Sequence, residues 1–167
     1  MIRRNGKKAT PPCPCGYLGH FSGRCACTPD RIASYRSRIS GPLLDRIDLQ
    51  VEVPALREID LAEAPAREAS SPVRQRVEAA RDRQLDRQSR ANARLSGGEV
   101  ERWCAPDAPA RSLLRDALSR LSLSARSFHR VLKVARTIAD LAGRPGVGAG
   151  DVAEALAYRS ADRGTVR

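Results

Sequence analysis

Ser124-Ala-Arg-Ser-Phe128-His-Arg-Val131-Leu132-Lys-Val-Ala135-Arg-Thr-Ile138-Ala139-Asp-Leu-Ala142-Gly143 is the stretch that decides the fold. Phe128, Val131, Leu132, Ala135, Ile138, Ala139 and Ala142 recur at three- and four-residue spacing, which puts them on one face of an α-helix. Ser124 is a preferred N-cap residue, and Gly143 followed by Pro145 ends the pattern. A stripe this wide is stable only when buried, so further helices must cover it. Upstream, Ala110, Leu113, Leu114, Ala117, Leu118 and Leu121 repeat the spacing, and downstream Asp151 and Glu154 stand at capping-box distance for a short helix through Leu156 and Tyr158. Ser71-Pro72 opens a long, mostly charged helix with Val73, Val77 and Ala80 on one side, ending near Gly97-Gly98. Four helices with short connections predict a small α-helical bundle over 71–160.

The preceding half is organised differently. Residues 1–12 show charge, Gly and Pro without apolar periodicity and read as disordered or extraneous to the domain. Thr28-Pro29-Asp30 supplies a cap, a first-turn proline and a first-turn acid for a helix to about Ile39, which Ser40-Gly41-Pro42 stops; Leu43 to Arg46 fits one more turn. Ile47-Asp48-Leu49-Gln50-Val51-Glu52-Val53 then alternates apolar and polar residues, the pattern of a half-buried strand. A lone strand cannot satisfy its own backbone groups, so an orphan strand implies that its sheet lies outside this chain. Residues 55–70 read as a linker and 161–167 as a tail. The expected fold is therefore mainly α: a helical bundle, one orphan strand within the segment 13–54, and an irregular Cys-rich N-terminal region.

Across 167 residues, 30 Lys and Arg oppose 19 Asp and Glu, a formal net charge of +11, with 41% hydrophobic and 4% aromatic residues. Leu, Val, Ile and Ala must build the core. Residues 1–38 hold eight Lys or Arg against Asp30 alone, so much of the excess is N-terminal. Such a balance suits a polyanionic partner. Nearly all the basic residues are Arg, which could serve phosphate or carboxylate recognition but fits the codon usage of a GC-rich genome better. No apolar run is long enough to span a bilayer and no secretory signal is legible, so a cytoplasmic protein with no membrane partner is expected.

Four of the five cysteines crowd into Cys13-Pro-Cys15 and Cys25-Ala-Cys27, a Gly-rich stretch too short to fold alone. Four thiolates suit a tetrahedral structural zinc, with His20 a substitute ligand; the alternative is a reduced loop whose cysteines merely pack. Cys104 beside Trp103 reads as a small buried hydrophobe. No phosphate-binding loop is present, since Gly6-Lys7 lacks the upstream glycine and Gly146 to Gly150 lacks a lysine. The histidines have no partners placed for a hydrolytic triad. Arg126, Arg130 and Lys133 line one helical face, and Arg83, Arg87, Arg90 and Arg94 a second; each could meet a nucleic-acid backbone or be a solvated face, and Arg130 and Lys133 are the nucleic-acid candidates, with weak, non-specific binding expected.

Cys13-Pro-Cys-Gly-Tyr-Leu-Gly-His20, Ile39-Ser-Gly-Pro-Leu-Leu-Asp-Arg-Ile-Asp-Leu49 and Leu123 through Leu141, in that order, resemble the C-terminal portion of the bacterial magnesium-chelatase-like AAA+ ATPases of the ComM/YifB type. The resemblance implies that the strand belongs to a truncated AAA+ core, that residues 71–160 are the helical lid, and that ATP and magnesium bind the full-length protein through a phosphate loop upstream. It implies an arginine finger at Arg46, acting in trans, and a sensor at Arg126 that reads the ATP γ-phosphate. The implied partners are the protein's own N-terminal AAA+ core, neighbouring subunits of a homo-oligomeric ring, and DNA. By this reading the chain alone is not an enzyme and its parent is an ATPase involved in DNA processing. One departure stands out: where the family usually has Asn before the first cysteine, this chain has Pro12. The alternative is a self-contained, zinc-stabilised nucleic-acid-binding module, which would order residues 47–53 against a partner where a fragment would leave them exposed or irregular.

Overall fold

The computed structural model describes residues 11–38, 46–55, 68–121 and 124–160. These residues divide into two units, one holding 11–38 and 53–55, the other 46–52, 68–121 and 124–160. The first contains the Cys-rich loop and helix α1 (Pro29–Ser37). The second contains α2 (Ser70–Gln88), a single 3-10 turn (Asn92–Arg94), α3 (Gly97–Trp103), α4 (Ala108–Leu121), α5 (Ala125–Leu141) and α6 (Ala149–Ser160). The described structure is mainly helical, as the periodicity requires, and no helix in it is long and apolar enough to cross a membrane.

The centre of the bundle is α5, with Val131, Leu132, Ala135 and Ala139 buried and Phe128 and Ile138 partly so. Helices α2, α3 and α6 pack on it, and α4 packs on α6. Ala110 and Leu114 of α4, Val100 of α3, and Val152 and Ala155 of α6 complete the core. Cys104 is fully buried there, and burial pushes its thiol up to about 11, which leaves it chemically quiet. Two of the predicted caps form where the sequence placed them: the Thr28 hydroxyl accepts from the Arg31 amide and the Ser124 hydroxyl from the Ser127 amide. Ser71 does not cap α2, which begins one residue earlier, after Ala69, and has no side-chain cap.

Three further expectations need correction. Ile47–Val53 forms no strand: the described residues contain no strand partner, and Val51 and Val53 are 68% and 83% exposed. Alternation makes a strand possible, but only a ladder satisfies its backbone. The helix beginning near Ser71 does not continue to Gly97-Gly98. It ends at Gln88 because Ser89 turns left-handed, at φ 56°, and donates its amide to the Leu85 carbonyl. Gly97 and Gly98 instead open α3, where the Glu99 carboxylate accepts the Ser96 amide at 2.8 Å. The last helix starts two residues earlier than Asp151 suggests, because Asp151 is its third residue and accepts the Gly148 amide. Residues 1–10, most of the 55–70 linker and the tail lie outside the described residues, as does the expected turn at Leu43 to Arg46 apart from Arg46 itself.

Candidate functional site

The Cys-rich loop is a succession of tight turns. Gly16 (φ 80°) donates its amide to the Cys13 carbonyl and Gly23 (φ 63°) to that of His20, conformations a side chain would oppose. These turns fold the two Cys-x-Cys pairs back on each other. The sulfurs of Cys13, Cys15, Cys25 and Cys27 all lie within 4.8 Å of one another, with Cys13 to Cys15 at 3.3 Å, Cys13 to Cys25 at 3.8 Å and Cys15 to Cys25 at 3.7 Å. Four ligands about 2.3 Å from a tetrahedral zinc stand about 3.8 Å apart, so the donor set fits.

The cluster is electrostatically uneven. Burial raises the Cys13 thiol, but hydrogen bonds from Cys15, the Leu18 backbone and Cys25 outweigh it and bring it to about 6. The Cys27 backbone lowers Cys25, yet burial and the neighbouring sulfurs push it up to about 11, and Cys27 is raised as well. One thiolate thus forms readily and its charge holds its neighbours protonated, a conflict that a bound cation removes. His20 does not join the sulfurs. Its Nδ1 meets the Ser22 hydroxyl at 2.7 Å and its ring stacks on Phe21 at 4.3 Å, edge to Tyr17.

In the second unit, Arg46 sits exposed at a turn, and Asp48, an acid two residues on that could pair with it within the chain, is paired with Arg130 instead. Asp45 lies outside the described residues. Arg126 is exposed in the first turn of α5, on a shallow cleft it shares with Gly97, Val100, His129, Arg130 and Lys133. Among the described residues neither Arg46 nor Arg126 has an ion pair or a side-chain hydrogen bond. Lys133 is engaged, its Nζ donating to the Leu95 carbonyl at 2.6 Å, and Arg130 donates to the Arg46 carbonyl at 2.7 Å.

The expected basic stripe of Arg83, Arg87, Arg90 and Arg94 divides: its first two members turn inward, and Arg90 and Arg94 lie past the end of α2 and stay exposed. Arg83 donates to the Asp140 carbonyl and Arg87 forks onto the Asp140 carboxylate at 2.7 and 3.0 Å, while Arg90 pairs with Glu99. Asp140 is fully buried and also accepts from Arg136 (Nε at 3.0 Å, Nη2 at 2.8 Å) and from Asn92 Nδ2 at 2.8 Å. Nothing in the periodicity reveals this hub, because Asp140 and Arg136 look like solvated positions on the flank of a stripe. Their four-residue spacing was the available signal.

Residues 67–159 match the family described as magnesium chelatase, subunit ChlI C-terminal, and residues 7–61 match magnesium chelatase, subunit ChlI. The chain belongs to this family. Its relatives include the competence protein ComM of Haemophilus influenzae, 43% identical over 144 residues, covering 85% of this chain and 28% of ComM. YifB of Salmonella typhimurium is 41% identical over 147 residues, covering 87% of this chain and 29% of YifB. Protein Mb2921c of Mycobacterium bovis is 41% identical over 155 residues, covering 90% and 30%. The chain therefore spans less than a third of the length of these relatives. The ChlI C-terminal match covers all of α2 to α5 and α6 up to Arg159, so the bundle is the family's C-terminal region; the four cysteines, α1 and Arg46 fall in the ChlI match before it.

Proposed function

We propose that this chain is the lid-bearing part of a ring-forming AAA+ ATPase that processes DNA, contributing Arg46 as a finger to the neighbouring subunit's ATP and Arg126 as a γ-phosphate sensor. The observation that carries this is the freedom of those two guanidinia in a chain matching the ChlI family over both segments. Arg83, Arg87, Arg130 and Arg136 are held by internal acceptors, whereas Arg46 and Arg126 keep their donor forks available for phosphate oxygens. ATP and magnesium would be held by the full-length protein, and the basic balance of +11 supports a DNA partner. Contacts through Arg130 and Lys133 would be weak, since both already serve internal carbonyls. In the full-length ring, Arg126→Ala should weaken nucleotide-dependent closure of the helical domain and slow turnover together, read by a fluorescent ATP analogue and by phosphate release. Wild-type behaviour of both Arg126→Ala and Arg46→Ala would overturn the reading.

We assign zinc to Cys13, Cys15, Cys25 and Cys27 as a structural ion. Four protein ligands leave no open position for water or substrate, and the ion would order a loop that is otherwise held by short turns. Protein purified without chelator should carry about one zinc per chain. Cobalt should replace it with thiolate charge-transfer absorption, and Cys25→Ser should lose it. Because Cys25 and Cys27 must give up protons to bind, retention should fall as the pH is lowered. Metal analysis finding well under one zinc with all thiols free would support the idle-loop alternative.

A further inference from the structure

Residues 46–50 lie in no sheet, yet the helical unit holds four of the five, three of them by the backbone. Arg130 Nη1 donates to the Arg46 carbonyl at 2.7 Å and pairs with the Asp48 carboxylate. Arg159 Nη1 reaches the Ile47 carbonyl at 3.5 Å, while its Nη2 donates to the Ser127 hydroxyl at 3.1 Å. The Gln50 amide donates to the Tyr158 carbonyl at 2.9 Å. An exposed ion pair such as Arg130 with Asp48 contributes little alone. Four contacts within five residues, from two different helices, do more: they fix a backbone that has no ladder to fix it. Arg130 lies one turn along α5 from Arg126, and Ser127 is the residue after Arg126. The same helical turn that carries the free Arg126 therefore holds the segment that carries the free Arg46.

We propose that Arg130, backed by Arg159, is a positioning clamp that makes the Arg46 segment move with the helical domain, so that domain closure at one nucleotide repositions the guanidinium presented to the next. This rests on the finger role proposed above for Arg46. Arg130 touches no reacting atom in this scheme; it acts through the Arg46 backbone. The clamp uses the Arg46 carbonyl and leaves the Arg46 side chain unpaired, which is what an arginine reaching another subunit requires.

The test has two arms. In this chain, hydrogen exchange should show the Gln50 amide protected, and Arg130→Ala or Asp48→Asn should speed its exchange by about tenfold or more while the amides of α5 stay protected. Asp48 is more than half exposed, so its replacement cannot act by unfolding the bundle. In the full-length ring, Arg130→Ala should lower kcat by up to about 10²-fold with ATP affinity retained, the cost of misplacing a reacting group by about 1 Å. Adding Arg130→Ala to Arg46→Ala should cause no further loss, because a clamp has nothing left to position; a merely structural residue would add its own penalty. Unchanged Gln50 exchange in both variants overturns the clamp whatever the ring does. So does wild-type kcat in Arg130→Ala and Asp48→Asn rings while Arg46→Ala rings are inactive. Wild-type turnover by Arg46→Ala instead removes the finger reading and with it the coupling role.

Discussion

Asp140→Ala should destabilise the helical domain by about 3–5 kcal/mol, the range for removing one partner of a buried ion pair. The Asp140 carboxylate is fully enclosed and receives five hydrogen bonds from Arg87, Arg136 and Asn92. Removing it strands the Arg136 guanidinium, 3% exposed, with only the carbonyls of Arg144 and Pro145 to answer it. Domains of this size have about 5–15 kcal/mol in total, so the variant should be close to unfolding at room temperature. Replacing the pair together, as Asp140→Leu with Arg136→Met, should recover much of the loss, because the buried charge disappears with its partner. Urea unfolding followed by circular dichroism measures both; a loss under about 1 kcal/mol for Asp140→Ala would show the charges to be solvated. Acid has the same target. Burial raises the Asp140 carboxyl, but the hydrogen bonds from Arg87, Asn92 and Arg136 outweigh it and hold it below the ordinary 3.8. The unfolded chain then binds that proton more tightly, so this contribution is complete above the unfolded value and is lost as the pH falls through the lower folded one.

The helical half was legible because its signal is local. The seven-residue stripe of α5 and the cap at Ser124 are fixed by spacing alone, and both form as read, with Ala142 at the helix end the one stripe residue left exposed. The break after Gln88 was not legible, since nothing in Ser89 to Asn92 forbids helix. It arises because Asn92 is drawn into the core, where its amide meets Gln84 Oε1 and its side chain serves Asp140 and Thr137. Ser96-Gly-Gly-Glu99 did carry a capping-box signal, which the two glycines masked by resembling a helix end. The alternation of Ile47 to Val53 failed for a different reason: period two describes a strand that has a neighbour, and sequence cannot say whether the neighbour is there. For the candidate site, clustering of four cysteines predicted clustering of four sulfurs, since only nine residues separate the pairs. The fate of the arginines was invisible, because an arginine paired across 53 residues, as Arg87 is with Asp140, has the same local sequence as a free one.

Arg46→Ala should have the largest effect on catalysis, a loss of about 10³-fold or more in ATP turnover by the full-length ring, with nucleotide binding by each subunit nearly unchanged. The reason is where charge develops. As the γ-phosphoryl group leaves, negative charge spreads over its oxygens, and a guanidinium placed there stabilises the transition state more than bound ATP. Asp48, two residues from Arg46 in the chain, is bound to Arg130, so the Arg46 guanidinium has no described internal partner to leave. Arg46→Lys should recover little, since an ammonium is a point charge without the planar fork. Mixing subunits separates a finger acting in trans from one acting within its own chain. Rings combining Arg46→Ala subunits with subunits disabled in their own phosphate loop should regain activity, because an intact loop then faces an intact arginine at some interfaces. Two inactive proteins that stay inactive when co-assembled would place the arginine on its own subunit's nucleotide or remove it from catalysis. Arg46→Ala rings hydrolysing ATP at the wild-type rate would leave the residue as an exposed turn arginine and nothing more.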